Sequence, residues 1–75
     1  MQKGIKMEER ITLRGEYIKL DQALKVALGI GGGEAKERIL AGEVLVNGTV
    51  ELQRGKKLRD GDVAETNGMT IYIQS

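Results

Sequence analysis

The residues of this sequence with the clearest chemical potential form a run of cations in QRGKKLR, residues 53–59. Four cations lie there with no acidic side chain among them: Arg54, Lys56, Lys57 and Arg59. The segment carries +4 and the whole 75-residue chain only +1, so the remainder sums to −3. This segregation gives a domain a positive electrostatic face, and a positive face suits a polyanion. A solvated hairpin that keeps the protein soluble is the alternative interpretation.

A second candidate is the glycine-rich stretch GIGGGEAK, residues 29–36. It matches neither the dinucleotide fingerprint, because Glu34 stands where the third glycine belongs, nor the Walker pattern. Nucleotide binding is therefore not expected. The free amides of a helix that begins here can still hold an anion, with Lys36 in the first turn reaching toward them. A tight reversal with a solvated Lys36 explains the same residues equally well.

No catalytic or metal-binding constellation is predicted. The chain has neither Cys nor His, which removes the thiolate and the imidazole from the available chemistry. Asp60 and Asp62 flank a glycine and are interpreted as turn residues. Arg38 follows Glu34 by four residues, a spacing typical of a surface ion pair on a helix. We expect a binding module, not an enzyme, with no cofactor, no metal and no small-molecule substrate.

The hydrophobic periodicity predicts an α+β domain, with two short helices followed by a small antiparallel β meander. The first helix has apolar positions at Leu20, Leu24, Ala27 and Leu28. Asp21 is its expected N-cap. The second helix is expected to bury a stripe of apolar side chains and to stop at a glycine. These positions are Ala35, Ile39 and Leu40, with Gly42 as the stop.

After the helices the hydrophobic period changes to two. Val44–Val46 and Thr49–Leu52 are predicted to form a hairpin around an Asn47-Gly48 turn. Asp60-Gly61 and Asn67-Gly68 mark two further turns, with strands over residues 62–65 and 69–73. A short strand is expected near Ile11. Residues 1–10 are expected to be frayed, which leaves residues 11–75 as a single domain.

The bulk composition restricts the class of protein. It is 40% hydrophobic and 31% charged, which is typical of a soluble globular chain. No apolar run approaches the roughly 20 residues that span a bilayer, and the N-terminus lacks the apolar region of a secretory signal. We expect a cytoplasmic protein, monomeric by default, with no membrane partner.

Residues 17–65 resemble the RNA-binding domain first described in ribosomal protein S-four, also called the αL motif. The resemblance is carried by Lys19-Leu20-Asp21, by Lys36, by GEVLVNG at residues 42–48 and by Gly61-Asp62. The stretches GGEAK and RGKKLRDGD further resemble the small stand-alone bacterial members of this family. This chain departs from many members, which have Ser-Arg where it has glycines before the second helix, and its loop is about one residue longer.

The resemblance implies that the two helices and the following hairpin bind structured RNA, such as ribosomal or transfer RNA, with the ribosome as a candidate partner. With only two tyrosines, the chain lacks the stacking platform of a single-strand binder, so phosphates and shape are the expected means of recognition. Lys19, Lys36 and Asn47 match contact positions of the family. The four cations of residues 53–59 match the basic stretch of its stand-alone members. The predicted RNA-binding residues are Lys19, Gly33, Lys36, Arg38, Asn47, Arg54, Lys56, Lys57 and Arg59.

Three other interpretations compete with this one. A non-catalytic protein-interaction module of the ribosome or of nucleic-acid machinery is the main alternative. A small sulfur carrier is rejected, because the chain ends in Tyr72-Ile73-Gln74-Ser75 and not in Gly-Gly. A detached fragment of an RNA-modifying enzyme or synthetase is less favoured than a stand-alone protein, because the sequence has a start Met and complete strand patterns.

Overall fold

The computed structural model describes residues 7–75, which form two helices and seven strands. The helices are α1 (Leu20–Leu28) and α2 (Gly32–Leu40). The strands are β1 (Met7–Thr12), β2 (Ile18–Lys19), β3 (Leu45–Val46), β4 (Thr49–Val50), β5 (Lys57–Leu58), β6 (Val63–Thr66) and β7 (Met69–Gln74). The predicted α+β class is confirmed.

The main sheet has five strands in the order β1-β7-β6-β3-β4. Strand β1 precedes both helices and runs parallel to β7, with Met7 opposite Met69 and Thr12 opposite Gln74. The other pairings in this sheet are antiparallel. The predicted antiparallel meander after the helices is confirmed, and the parallel pairing of the preceding strand β1 with β7 was not predicted. A parallel pair needs a long crossover between its strands, and here the two helices lie within that connection.

A second, two-stranded sheet joins β2 to β5, with Ile18 opposite Leu58 and Lys19 opposite Lys57. Strand β5 was not predicted, because a strand of two residues leaves no periodic signal in the sequence. This pairing attaches the cationic run of residues 53–59 to the chain that enters α1. It is the structural feature that assembles the candidate site.

The core between the helices and the sheet is aliphatic. Leu20 and Leu24 of α1, Ile39 of α2, and Leu58 and Ile71 of the strands have no exposed surface. Burial of side chains of this size stabilises a fold by about 1.5–3 kcal/mol each.

One predicted core residue was wrong: Leu40 is 58% exposed. It follows Ile39 directly, so it points about 100° away from that buried position around the helix axis.

The N-terminus of α1 is capped by backbone, not by the predicted Asp21. The N-cap residue is Lys19, and within residues 7–75 no side chain caps this end. The amide of Leu20 donates to the carbonyl of Lys56 at 2.8 Å, and that of Asp21 donates to the carbonyl of Arg54 at 3.1 Å. The cationic run therefore satisfies amides that a capping side chain would otherwise serve.

The glycine-rich stretch is divided between two helix ends. Gly29 ends α1 in the left-handed conformation, with φ at 68°, which is the usual work of a C-terminal glycine. Gly31 is the N-cap of α2, and Gly32 and Gly33 already belong to that helix. Lys36 is consequently beyond the first turn, not within it as predicted. The predicted stop of α2 is confirmed, because Gly42 follows the C-cap with φ at 78°.

The predicted two-residue turns are confirmed. Asn47-Gly48 joins β3 to β4, and Asn67-Gly68 joins β6 to β7, each with positive φ at both residues. That combination is the signature of the type I′ turn, which matches the twist of a hairpin.

The expectation of a frayed segment over residues 1–10 was wrong for residues 7–10, which lie in β1; residues 1–6 lie outside the described residues. Within residues 7–75, neither helix is long and apolar enough to cross a membrane.

Candidate nucleic-acid interface

The two-stranded sheet β2–β5 presents one apolar and one cationic face. Ile18 and Leu58 point inward, and Leu58 has no exposed surface. Side chains alternate along a strand, so the residues on either side of these two point outward. They are exposed, and together they form what we call the basic ribbon: Tyr17, Lys19, Lys57 and Arg59.

Like charges oppose each other directly on the basic ribbon. Lys19 is the cross-strand partner of Lys57, and two cations in that position destabilise a sheet. Neither lysine, nor Arg59, has an acidic partner in an ion pair within residues 7–75. An arrangement that costs stability and leaves cations unneutralised is suited to an external anion.

Tyr17 organises the cations around it. Its ring centroid lies 4.9 Å from Nζ of Lys57 and 5.4 Å from Cζ of Arg59, both within cation–π range. The aromatic contact restrains two long side chains without neutralising their charge. Tyr17 was not among the predicted site residues. The alternation of Tyr17, Ile18 and Lys19 around one apolar position was the signal that could have identified it.

The cationic face continues to the N-terminus of α1. Arg54 and Lys56 are exposed, and their carbonyls accept hydrogen bonds from the first turn of this helix. A helix N-terminus carries a partial positive charge, so nearby cations destabilise the helix. The structure thus brings together five of the predicted site residues: Lys19, Arg54, Lys56, Lys57 and Arg59.

Asn47, also predicted to contact RNA, is exposed, but its side chain is hydrogen-bonded to other residues of the protein. Its Nδ2 donates to Oδ1 of Asp62 at 3.0 Å, and its Oδ1 accepts from the amide of Val63 at 3.0 Å. The second carboxylate oxygen of Asp62 accepts from the amide of Arg59 at 2.7 Å. We call this set of bonds the Asn47–Asp62 clamp. It links the β3–β4 turn to the end of the basic ribbon and gives the side chain of Asn47 a structural role.

The clamp is strengthened by charge. The hydrogen bond from the Arg59 amide holds the pKa of Asp62 below its usual value, and the bond from Asn47 and the nearby charges of Lys56 and Arg59 act in the same direction. Asp62 is thereby kept ionised beside the ribbon. Its oxygens accept hydrogen bonds from the backbone amide of Arg59 and the side-chain amide of Asn47, and it forms no ion pair with a lysine within residues 7–75.

Arg38 and Gly33 lie in a different electrostatic environment. Arg38 forms the predicted ion pair with Glu34, at 3.1 Å. Arg38 and Gly33 line an open groove of about 710 Å³, and three glutamates line it with them: Glu34, Glu37 and Glu43. Three glutamates against one arginine disfavour a phosphate there. Gly33 and Arg38 stay predictions, but the charges around them do not support RNA contact.

Lys36 lies on the other flank of α2. Two residues correspond to about 200° around a helix, so Lys36 and Arg38 flank the stripe formed by the buried Ala35 and Ile39 on opposite sides. Lys36 is exposed and has no ion-pair partner in the described part of the chain. Its role as an RNA contact stays a prediction.

Two comparisons with known proteins show the family of the chain. The family model described as the S4 domain matches residues 11–74. A curated protein of Bacillus subtilis (strain 168), named "Probable ribosome maturation protein RlbA", is 44% identical over 67 residues, which cover 88% of this chain and 94% of that protein. The match includes both helices, the basic ribbon and the Asn47–Asp62 clamp. The chain therefore belongs to the S4 domain family.

Proposed function

We propose that this protein binds structured RNA through the basic ribbon and the adjoining cations at the N-terminus of α1, and that it acts by binding without catalysis. The observation that carries the proposal is the opposition of Lys19 and Lys57, unneutralised, on an exposed face. A fold gains nothing from this pair. A phosphate between the two ammonium groups would offset their repulsion and be attracted by both charges.

The geometry suits a polyanion held in a regular array. Cross-strand partners in a sheet lie about 5 Å apart and next-nearest residues on one strand about 7 Å apart, so the cations are spaced on the scale of neighbouring phosphates. Tyr17 is the only exposed tyrosine, since Tyr72 is half-buried. A face with many cations and one aromatic residue reads a folded RNA through its backbone and shape.

The named role of the Bacillus subtilis relative extends the proposal. That protein is called a ribosome maturation protein. We infer that the RNA bound here is a ribosomal RNA or its precursor and that the protein acts during ribosome assembly in the cytoplasm. The chemistry of the ribbon supports RNA binding as such, and the relative supports the choice of RNA.

Equilibrium binding to three ligands tests the proposal: an RNA hairpin, a single strand of the same composition and a DNA duplex, each at two salt concentrations. We expect the hairpin to bind most tightly and to weaken as salt rises. A Lys56→Glu/Lys57→Glu variant should lose most of this affinity. Equal, weak binding of all three ligands, or a variant that binds as the parent does, would overturn the proposal in favour of a protein partner.

A variant matched in charge controls for net charge. Lys25→Glu/Arg38→Glu changes the chain by the same four units but alters positions outside the basic ribbon, on α1 and α2. This control should keep affinity within about threefold of the parent, because neither residue belongs to the basic ribbon or to the cations at the N-terminus of α1. Equal losses in both double variants would show a general effect of charge and no localised site.

A further inference from the structure

A groove of about 440 Å³ lies beside the basic ribbon, between the end of β1, the chain that follows it and the exposed side of α1. Its apolar wall includes Leu13, Ile18 and Val26. Its polar lining includes Arg10 and Arg14, and no acidic side chain lines it among the described residues. Volumes of several hundred Å³ with apolar walls and a few polar groups are typical of sites for small organic groups.

Tyr17 belongs to both the groove and the basic ribbon. It lines the groove and contacts the cations of Lys57 and Arg59 through its ring. The groove therefore opens beside the phosphate-binding face. An RNA backbone bound on the ribbon would therefore lie next to the groove.

The chemistry of the lining selects the occupant. An occupant must have a flat or apolar body for the wall of Leu13, Ile18 and Val26, and a negative charge for the two arginines. Arg10 lines the groove, and its guanidinium lies 5.1 Å from the ring centroid of Tyr72, a contact that restrains it without neutralising its charge. A nucleotide turned out of an RNA helix has both parts, a base and a phosphate.

We propose that this groove takes one unstacked nucleotide of the RNA, with the base against the apolar wall and Tyr17, and its phosphate on Arg10 or Arg14. The inference rests on the proposed function, because the ribbon must hold the RNA beside the groove. It adds a preference for RNA that carries a bulged or flipped base. The ribbon alone does not provide such a preference, since phosphates are the same at every position.

Three RNA hairpins separate the base from the backbone: one with a single bulged nucleotide, one with an abasic site at the bulge, and one fully paired. We expect the parent protein to bind the bulged hairpin about tenfold more tightly than the abasic one, on the scale of one base–aromatic stacking contact. Val26→Glu should abolish this preference while leaving affinity for the abasic hairpin within about twofold. Val26 is 64% exposed, so the change is compatible with folding.

Met7→Glu is the matched control. Met7 is 59% exposed, is changed by the same charge, and lies on β1 outside the groove lining. This variant should keep the tenfold preference. Equal affinity of the parent for bulged and abasic hairpins, or a preference that survives Val26→Glu, overturns the inference and leaves the groove to another occupant such as an acidic amphipathic peptide.

The two proposals fail in different ways. Suppose that the fully paired hairpin binds in a salt-dependent manner and that Lys56→Glu/Lys57→Glu abolishes this binding. The proposed function is then supported, and a missing preference for the bulged base contradicts only the groove inference. If no hairpin binds in that manner, the proposed function itself is wrong, and the groove inference is wrong with it.

Discussion

The basic ribbon and the Asn47–Asp62 clamp are neighbours with opposite energetics. In the clamp, both polar ends of Asn47 and both oxygens of Asp62 have partners at 2.7–3.0 Å. In the ribbon, Lys19 and Lys57 face each other with no acidic partner within residues 7–75. Both regions hold residues predicted to contact RNA. The charged groups of the ribbon are the ones left without a partner within residues 7–75.

This difference between the clamp and the ribbon shows that a polar residue can occupy a family position for either of two reasons. A satisfied group contributes to the stability of the fold, about 0.5–1.5 kcal/mol for each hydrogen bond. An unsatisfied and repelled charge contributes to binding at the expense of stability, as with other functional sites that break local rules. The hydrogen bonds of Asn47 place it in the first group, and we propose that Lys57 belongs to the second. Substitutions should therefore move stability in one region and affinity in the other.

Asn47→Ala is expected to give the largest change, a loss of about 3 kcal/mol in the free energy of unfolding. About two thirds of this loss comes from the missing hydrogen bonds. The rest is backbone strain, because alanine tolerates the left-handed φ of 52° less well than asparagine does. Asn47→Gly removes the same bonds without the backbone strain, so it should cost about 1 kcal/mol less. Urea unfolding measures both. If RNA affinity falls more than about threefold while either variant is fully folded, Asn47 contacts RNA itself.

Lys57→Glu should move the two properties in opposite directions. The new carboxylate faces Lys19 and replaces a repulsion by an attraction, a change of up to about 2 kcal/mol that we expect to outweigh the about 0.5–1 kcal/mol lost with the cation–π contact to Tyr17. RNA affinity at 0.1 M salt should fall about tenfold or more, because a phosphate contact is lost and a negative charge added. Thermal unfolding and RNA titration on the same sample provide the test. A variant that is less stable, or one with unchanged affinity, would contradict the account of the ribbon.

The clamp should weaken at low pH. The pKa of Asp62 is lower in the folded than in the unfolded protein, so its contribution is complete above the unfolded value of about 3.9 and is lost as the pH falls through the folded value. The difference in unfolding free energy between the parent and Asp62→Asn should therefore be constant near pH 6 and shrink below about pH 4. The two proteins share all other carboxylates, so the difference isolates Asp62. A difference that grows as the pH falls would reverse the sign of this account.

Arg38→Ala should give the smallest change. Its ion pair with Glu34 is an exposed i, i+4 pair, which contributes about 0.3–0.5 kcal/mol to the free energy of unfolding. RNA affinity should stay within about twofold of the parent, because the arginine lies among glutamates. A tenfold loss of affinity, measured by the same titration as for Lys57→Glu, would place Arg38 in the interface after all.

Elements with strong local signals were predictable from the sequence. Both helices follow a 3.6-residue period, and the Asn47-Gly48 and Asn67-Gly68 turns carry the residues that positive φ requires. The cationic run was also visible, because it needs only the order of residues. Leu40 was misjudged because it lies about 100° around the helix from Ile39, and the sequence does not show which of the two faces the core.

Features that depend on distant residues were not predictable. The parallel pairing of β1 with β7 joins residues more than sixty positions apart, such as Met7 and Met69. The β2–β5 pairing consists of two residues on each strand, too few for a pattern. Backbone capping of α1 by Lys56 and Arg54 replaced the expected Asp21 cap for the same reason. Local sequence therefore indicated the cations, and only the tertiary fold placed Lys19 and Tyr17 among them.

The salt dependence of RNA affinity tests the central claim most directly. If the five cations Lys19, Arg54, Lys56, Lys57 and Arg59 each neutralise a phosphate, log K against log salt concentration should have a slope of about −4. Lys56→Gln/Lys57→Gln should reduce that slope by about 2 without unfolding the protein. A flat plot for the parent, or the same slope in parent and variant, would contradict the assignment of the basic ribbon and its neighbours as the RNA-binding face.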